Sequence, residues 1–139
     1  MSEANESMMP KPGRVSWNEL TTGDAAAAAG FYTQLFGWKT EAFAPGGAPG
    51  GGPPYTMFKQ DGDAMGVGGM MQMPQPGAPA MWLPYFVVAN ADDALARAVG
   101  LGAKVCAPVM VIPMVGRIAI VQDPQGAVFG LHELATDCK

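Results

Sequence analysis

The sequence predicts an α+β domain made of two related halves, each with the order strand, helix, strand, strand, strand (βαβββ). The predicted elements follow this order twice, before and after a Pro/Gly-rich break at residues 74–79. The segment QDGDAMGVG at 60–68 also aligns without a gap with QDPQGAVFG at 122–130, an offset of 62 residues. The predicted strand-to-helix junctions, Asp24 and Asn90, are 66 residues apart, and a loop can absorb the difference of four. Together these observations indicate an internal duplication.

The first half begins with an alternating strand at 14–21 that runs into the turn and capping residues Thr-Thr-Gly-Asp. A helix is predicted from Asp24 to Gly37, because strong helix formers precede apolar residues at spacings of three and four. Gly37 then suits a left-handed helix end. Further strands are predicted at residues 38–44, 55–60 and 64–73, with a tight turn at 61–63.

Residues 45–54, PGGAPGGGPP, predict a loop, since Gly loses much entropy when ordered and Pro lacks the backbone donor. This glycine-rich stretch is not followed by Lys and Ser or Thr and does not open a helix, so a phosphate-binding loop is not indicated.

The second half is predicted to repeat the first, with a strand at 82–89, a helix at 91–99, and strands at 104–107, 116–122 and 127–134. The last two strands are joined by Asp-Pro-Gln-Gly, whose Pro at the second position favours a type I turn. Asp123 and Gly126 are therefore interpreted as turn residues, and Asp24 as a helix N-cap.

The length of 139 residues favours one domain over two. We expect a disordered tail at 1–12, a domain at 13–134 and a short tail at 135–139. The domain would consist of a first module at 13–73, a linker at 74–79 and a second module at 80–134.

Composition restricts the partners. Eight scattered Lys and Arg against twelve Asp and Glu argue against nucleic acid, because no basic run could neutralise phosphates. No signal sequence or spanning apolar stretch is found, so a cytoplasmic protein with no membrane partner is expected. The charged fraction of 14% is low for a surface, which makes a homodimer an alternative. Cys106 is expected to be a packed thiol and Cys138 an exposed one.

Several segments resemble the vicinal oxygen chelate superfamily, which includes glyoxalases, bleomycin-resistance proteins and extradiol dioxygenases. WNELTTGD at 17–24 and FYTQLFGW at 31–38 resemble the opening of that fold, and QDPQGAVFG at 122–130 resembles its final hairpin. The resemblance covers residues 13–134. It implies mixed sheets that curl around a central cavity, with each helix packed on the convex side.

The resemblance also implies where a metal would bind, since metal-using members carry His, Gln or Glu on the first and last strands of each module. The corresponding positions here are Trp17 and Gly68 in the first half and Leu83 and Gly130 in the second. None of these side chains offers a lone pair suited to a divalent ion. The nearby donors are Asn18, Glu19 and His132, too few for a site, so we expect no cofactor and consider a divalent metal less probable.

Side chains alternate across a strand, so Glu19 should share a face with Trp17, Tyr85 with Leu83, and His132 with Gly130. If these faces line the cavity, Glu19 and His132 could anchor a polar ligand or act on it as base and acid. The apolar wall of such a ligand site would be formed by Trp17, Phe58, Met70 and Tyr85.

A purely structural interpretation stands beside this one. Glu19 would accept hydrogen bonds from the backbone or from Arg117, and His132 would lie in solvent at the end of the sheet. The aromatic residues and Met70 would then simply pack the core.

Three functions follow from these observations. The leading hypothesis is a small-molecule-binding protein with an apolar, metal-free cavity. The alternatives are an enzyme, namely a metal-dependent or acid/base lyase, isomerase or dioxygenase of the same superfamily, and a module that pairs with its own copy. Fold alone does not decide among them.

Overall fold

The computed structural model describes residues 11–43, 55–62, 66–73, 79–112 and 115–135. Its elements in chain order are β1 (Val15–Thr22), α1 (Ala25–Phe36), β2 (Lys39–Phe43), β3 (Tyr55–Lys59), β4 (Gly68–Gln72), β5 (Met81–Val87), α2 (Ala91–Gly100), β6 (Lys104–Ile112), β7 (Gly116–Gln122) and β8 (Val128–Leu134). The predicted α+β class and the twofold βαβββ order are confirmed. Predictions for the loop at 45–54, the linker at 74–78, the two tails beyond residues 11 and 135, and Cys138 lie outside the described residues.

The chain divides into two compact units, and the divisions fall within β1 and within β5. We call Trp17–Leu83 the α1 unit, and Met1–Ser16 together with Pro84–Lys139 the α2 unit.

In the α1 unit the strands lie in the order β2, β3, β4, β1. The first two pairs are antiparallel, and β4 pairs in parallel with β1. Leu20, Phe58 and Met70 form the buried core of this unit and pack against alanines and Tyr32 of α1. The core therefore lies between the helix and one face of the sheet.

The α2 unit repeats this plan, with the strand order β5, β8, β7, β6 and a parallel pair between β5 and β8. Its buried core of Ala119, Val121 and Leu131 packs against Ala94 and Leu95 of α2.

Both helices begin where the capping residues predict. The Asp24 carboxylate accepts a hydrogen bond from the Ala27 N–H at 3.0 Å, and the Asn90 side chain accepts one from the Asp93 N–H at 2.9 Å. Gly37 ends α1 in the left-handed conformation, with φ 75°.

The closing turn also forms as predicted. The Asp123 carboxylate accepts hydrogen bonds from the N–H groups of Gln125 and Ala127, and the Gly126 N–H donates to the Asp123 carbonyl. Asp123 and Gly126 are turn residues.

Strand β6 differs from the prediction, because it continues to Ile112 instead of ending near residue 107. Pro108 lies within β6, which is the outermost strand in its unit and whose register shifts between Ala107 and Met110. An outer strand with an irregular register needs no N–H at the proline. Cys106 on this strand is exposed, so the prediction of a packed thiol is wrong.

Neither helix among the described residues is long and apolar enough to span a membrane.

Candidate functional site

The sheet of the α1 unit presents different side chains on its two faces. Leu20 and Met70 point toward α1, so the alternating positions Trp17, Glu19 and Gly69 lie on the opposite face. Glu19 and Gly69 are paired residues of neighbouring strands. Tyr55 of β3 also belongs to this face, which we call the Glu19 face.

Three side chains form a hydrogen-bond chain on the Glu19 face. The Trp17 indole Nε1–H donates to the Tyr55 hydroxyl oxygen at 2.7 Å. The Tyr55 O–H in turn donates to the Glu19 carboxylate. Burial and then the negative charge of Glu19 raise the pKa of Tyr55 far above its usual value of 10. The phenol thus stays protonated and links an indole to a carboxylate.

Gly69 makes room for this chain. A Cβ at Gly69 would overlap the hydroxyl group and ring of Tyr55. The absence of a side chain on β4 therefore lets the Tyr55 phenol lie across the strand and reach both Trp17 and Glu19.

The α2 unit has a related arrangement on the face of its sheet away from α2. A Cβ at Gly130 would overlap the ring of Tyr85, so this ring lies over the glycine that it pairs with. Tyr85 is buried, and Gly130 makes room for its ring as Gly69 makes room for the ring of Tyr55.

His132 lies on the same face of β8 as Gly130 and is buried. Its Nε2 is 2.8 Å from the Val115 carbonyl oxygen, and its Nδ1 is 2.8 Å from the Ser16 hydroxyl oxygen. A carbonyl can only accept, so Nε2 carries the proton in the neutral ring and Nδ1 accepts from the Ser16 O–H. Both ring nitrogens are engaged.

The structure corrects one part of the interpretation in which Glu19 and His132 have purely structural roles. The prediction that His132 lies in solvent is wrong, because its side chain is buried and its Nε2 is hydrogen-bonded to the Val115 carbonyl. Arg117 pairs with Asp92 at 2.6 Å and with Glu133 at 3.8 Å, so its partners lie within the α2 unit.

The predicted ligand wall divides between two faces. Trp17 lies on the Glu19 face, but Phe58 and Met70 are buried in the core against α1. A residue count cannot show which way a strand turns its side chains. Likewise Gly69, and not Gly68, shares the face of Glu19, so the β4 position that the resemblance implied is one residue away from that face.

Sequence reasoning missed Tyr55 as a site residue. It was assigned only to the start of a strand after a Gly/Pro-rich loop. The signal that could have identified it is the adjacent glycine pair in β4, since a strand glycine often marks a close approach by another group. Glu19 and His132 belong to different units, and their joint action on a ligand stays a prediction.

The described residues offer no ready set of ligands for a divalent metal ion. Among the described ranges no group of three His, Cys, Asp or Glu side chains converges. The indole of Trp17 offers no ligating lone pair. His132 could bind an ion only by giving up Ser16 or Val115.

Two curated relatives resemble most of the chain. CFP32 of Mycobacterium bovis, provisionally named a glyoxylase, is 38% identical over 124 residues, which cover 89% of this chain and 45% of that protein. The anthracycline biosynthesis protein DnrV of Streptomyces peucetius is 34% identical over 132 residues, covering 86% of this chain and 46% of the relative. The chain spans a little under half the length of these curated relatives.

Solved structures share the fold at low identity. Homoprotocatechuate 2,3-dioxygenase of Brevibacterium fuscum superposes with a TM-score of 0.61 at 18% identity, over 93% of this chain and 39% of that one. Methylmalonyl-CoA epimerase of Streptomyces coelicolor superposes with a TM-score of 0.63 at 17% identity, over 91% of this chain and 100% of the other. The family model of the Glyoxalase/Bleomycin resistance protein/Dioxygenase superfamily matches residues 14–131. The chain therefore belongs to this superfamily.

Proposed function

We propose that this chain binds a small molecule on the Glu19 face without the help of a metal. The observation that carries the proposal is the hydrogen-bond chain from Trp17 through Tyr55 to Glu19. It puts a carboxylate and two aromatic rings where the family resemblance implies a ligand site. The same positions lack a donor set for a divalent ion.

The chemistry of these side chains indicates the class of ligand. A carboxylate can accept several hydrogen bonds, so accepting one from Tyr55 does not exhaust Glu19. The half-buried rings of Trp17 and Tyr55 supply apolar contact area at low entropic cost. We infer an aromatic ligand that carries a hydrogen-bond donor or a positive charge.

The names of the relatives suggest the first probes. One relative is named for anthracycline biosynthesis, and the superfamily is named in part for bleomycin resistance. The dioxygenase neighbour was solved with 3,4-dihydroxyphenylacetate. The three probes are therefore an anthracycline, bleomycin and 3,4-dihydroxyphenylacetate. They represent polycyclic, glycopeptide and simple catechol ligands.

The test is calorimetric titration of the three probes in buffer containing a chelator. Glu19→Gln should weaken binding by about 10- to 150-fold, because a hydrogen bond to a charged group contributes about 1.5–3 kcal/mol. Glu41→Gln is the matched control: Glu41 is exposed on β2 and pairs with Lys59 at 2.8 Å. Equal affinity of the two variants, or binding that requires an added metal ion, would contradict the proposal.

The pairing of Glu19 with a protonated Tyr55 supports a second candidate, an acid/base lyase or isomerase. Glu19 could remove a proton beside a carbonyl group, and the Tyr55 O–H, released as Glu19 becomes protonated, could turn to the developing oxyanion. The first substrate to try is the hemithioacetal of methylglyoxal and a thiol, because one relative is provisionally named a glyoxylase.

The measurement for this candidate is incorporation of solvent deuterium into the product, followed by NMR under chelator. Activity should be lost in Glu19→Gln and retained in Glu41→Gln. Ligand binding without any exchange in the wild-type protein would favour the binding function over the enzyme.

A further inference from the structure

A second feature lies on the other face of the sheet in the α1 unit. A hollow of about 380 Å³ is lined by Asn18, Tyr32, Phe36, Trp38, Val67 and Trp82. We call it the aromatic hollow. Asn18 alternates along β1 with Trp17 and Glu19, so the aromatic hollow and the Glu19 face are on opposite sides of the strand. The aromatic hollow is a shallow depression open to solvent, so a ligand there would keep part of its surface in water.

The walls of the aromatic hollow are flat and meet at nearly right angles. The Tyr32 ring is close to parallel with Phe36 and Trp38, at 16° and 19°, with centroids 6.3 and 6.1 Å away. The Trp82 ring is nearly perpendicular to Tyr32, at 84° and 5.3 Å. Phe58 lies beneath them and is fully buried.

A hydrogen bond holds two of the walls together. The Trp82 indole Nε1–H donates to the Tyr32 hydroxyl oxygen at 3.0 Å. The indole N–H is thus satisfied, and the ring surfaces remain for contact. Phe36 is 53% exposed and Trp82 is 38% exposed, so these rings reach solvent instead of completing the core.

Among the described residues that line it, none carries a charge, and the Asn18 amide is a polar group besides the paired Tyr32 and Trp82. An anion would meet no cation among these residues, and the net charge of the chain is −4. Ring faces attract cations as well as apolar surfaces. The aromatic hollow therefore suits a neutral or cationic ligand and disfavours an anionic one.

We propose that the aromatic hollow is a second binding site, which takes a flat neutral or cationic aromatic compound. The ligand packs on the ring surfaces of Trp38, Phe36 and Trp82, and the Asn18 amide hydrogen-bonds its polar edge. This site is separate from the Glu19 face and needs neither Glu19 nor Tyr55.

The three tryptophans of the chain allow a direct test. Trp17→Phe leaves only Trp38 and Trp82, so its fluorescence reports on the aromatic hollow. Proflavine, a flat cation, should quench this emission with saturation, whereas anthraquinone-2-sulfonate, a flat anion, should not at the same concentrations. Free tryptophan titrated in parallel corrects for absorption by the probe.

Two further substitutions in the Trp17→Phe protein identify the site. Phe36→Ala should weaken proflavine binding about tenfold through loss of aromatic contact, and Phe31→Ala is its matched control. Phe31 is 60% exposed on the same helix but does not line the aromatic hollow. Glu19→Gln weakens any proflavine bound at the Glu19 face, but it should leave the saturable quenching of Trp38 and Trp82 unchanged.

Each contrary result overturns the proposal in a recognisable way. Quenching that does not saturate, or equal affinities for Phe36→Ala and Phe31→Ala, means that no site exists at the aromatic hollow. Loss of binding in Glu19→Gln assigns proflavine to the Glu19 face and leaves that function standing. If light scattering shows a dimer and the dimer does not bind the probe, the aromatic hollow is assigned to a second copy of the chain.

Discussion

Replacing Gly69 with Ala should break the hydrogen bonds of Tyr55 while leaving the strand pairing of the α1 unit in place. The added Cβ would overlap the ring and hydroxyl of Tyr55, a side chain that can move, and not the backbone. The backbone of Gly69 does not have the positive φ that L-residues avoid, so Ala fits β4 itself. The perturbation therefore acts on Tyr55.

The magnitude follows from the two hydrogen bonds. The bond from Trp17 is between neutral groups and contributes about 0.5–1.5 kcal/mol, and the bond to Glu19 involves a charge and contributes about 1.5–3 kcal/mol. Partial exposure of these groups reduces the sum, and Ala is better than Gly in a strand by about 0.5–1 kcal/mol. We expect a net loss of about 1–3 kcal/mol in the free energy of unfolding.

The assay is urea unfolding of the wild type, Gly69→Ala, Tyr55→Phe and the double variant. Since both single changes remove the same hydrogen bonds, the double variant should be little less stable than Gly69→Ala alone. Gly23→Ala is the control, because a Cβ there has no neighbour within 4 Å. Additive losses in the double variant would refute the idea that Gly69 is required by Tyr55.

Three further predictions concern stability. The folded state raises the pKa of Tyr55 above 10, so its contribution should be fully present below about pH 10 and lost as the pH rises further; Tyr55→Phe should remove this part of the alkaline loss in urea unfolding. Asp24→Ala should cost about 0.5–2 kcal/mol by removing the cap on the Ala27 N–H, and Asp24→Asn should restore most of it in thermal unfolding. Ser16→Ala should cost about 1–3 kcal/mol, because the buried His132 Nδ1 loses its donor, and Ser16→Thr should cost less in the same urea assay.

The local elements were predictable because their signals are local. Asp24 and Asn90 indicate the starts of their helices, because a short polar side chain can satisfy a free N–H within three residues. Asp123 and Gly126 indicate the closing turn, because the Asp123 carboxylate accepts hydrogen bonds from N–H groups within four residues. The family resemblance, which rests on these same segments, was confirmed by the family model over residues 14–131.

The site was only partly predictable. The alternation rule correctly put Trp17 and Glu19 on one face, because the period of a strand is two. It could not show that Phe58 and Met70 turn toward α1, since the choice of face depends on which side the helix packs. The partner of Trp17 is Tyr55, 38 residues further along the chain and beyond a loop, and no short-range pattern joins them.

By itself, therefore, the sequence determined the order of elements and the caps and turns. Tertiary structure decided the contacts that depend on strand register: Tyr55 lying over Gly69, and His132 held between Ser16 and Val115. The physical reason is range. Capping and turn chemistry act within a few residues, whereas a one-residue shift in register exchanges the two faces of a strand and is set by packing across the whole unit.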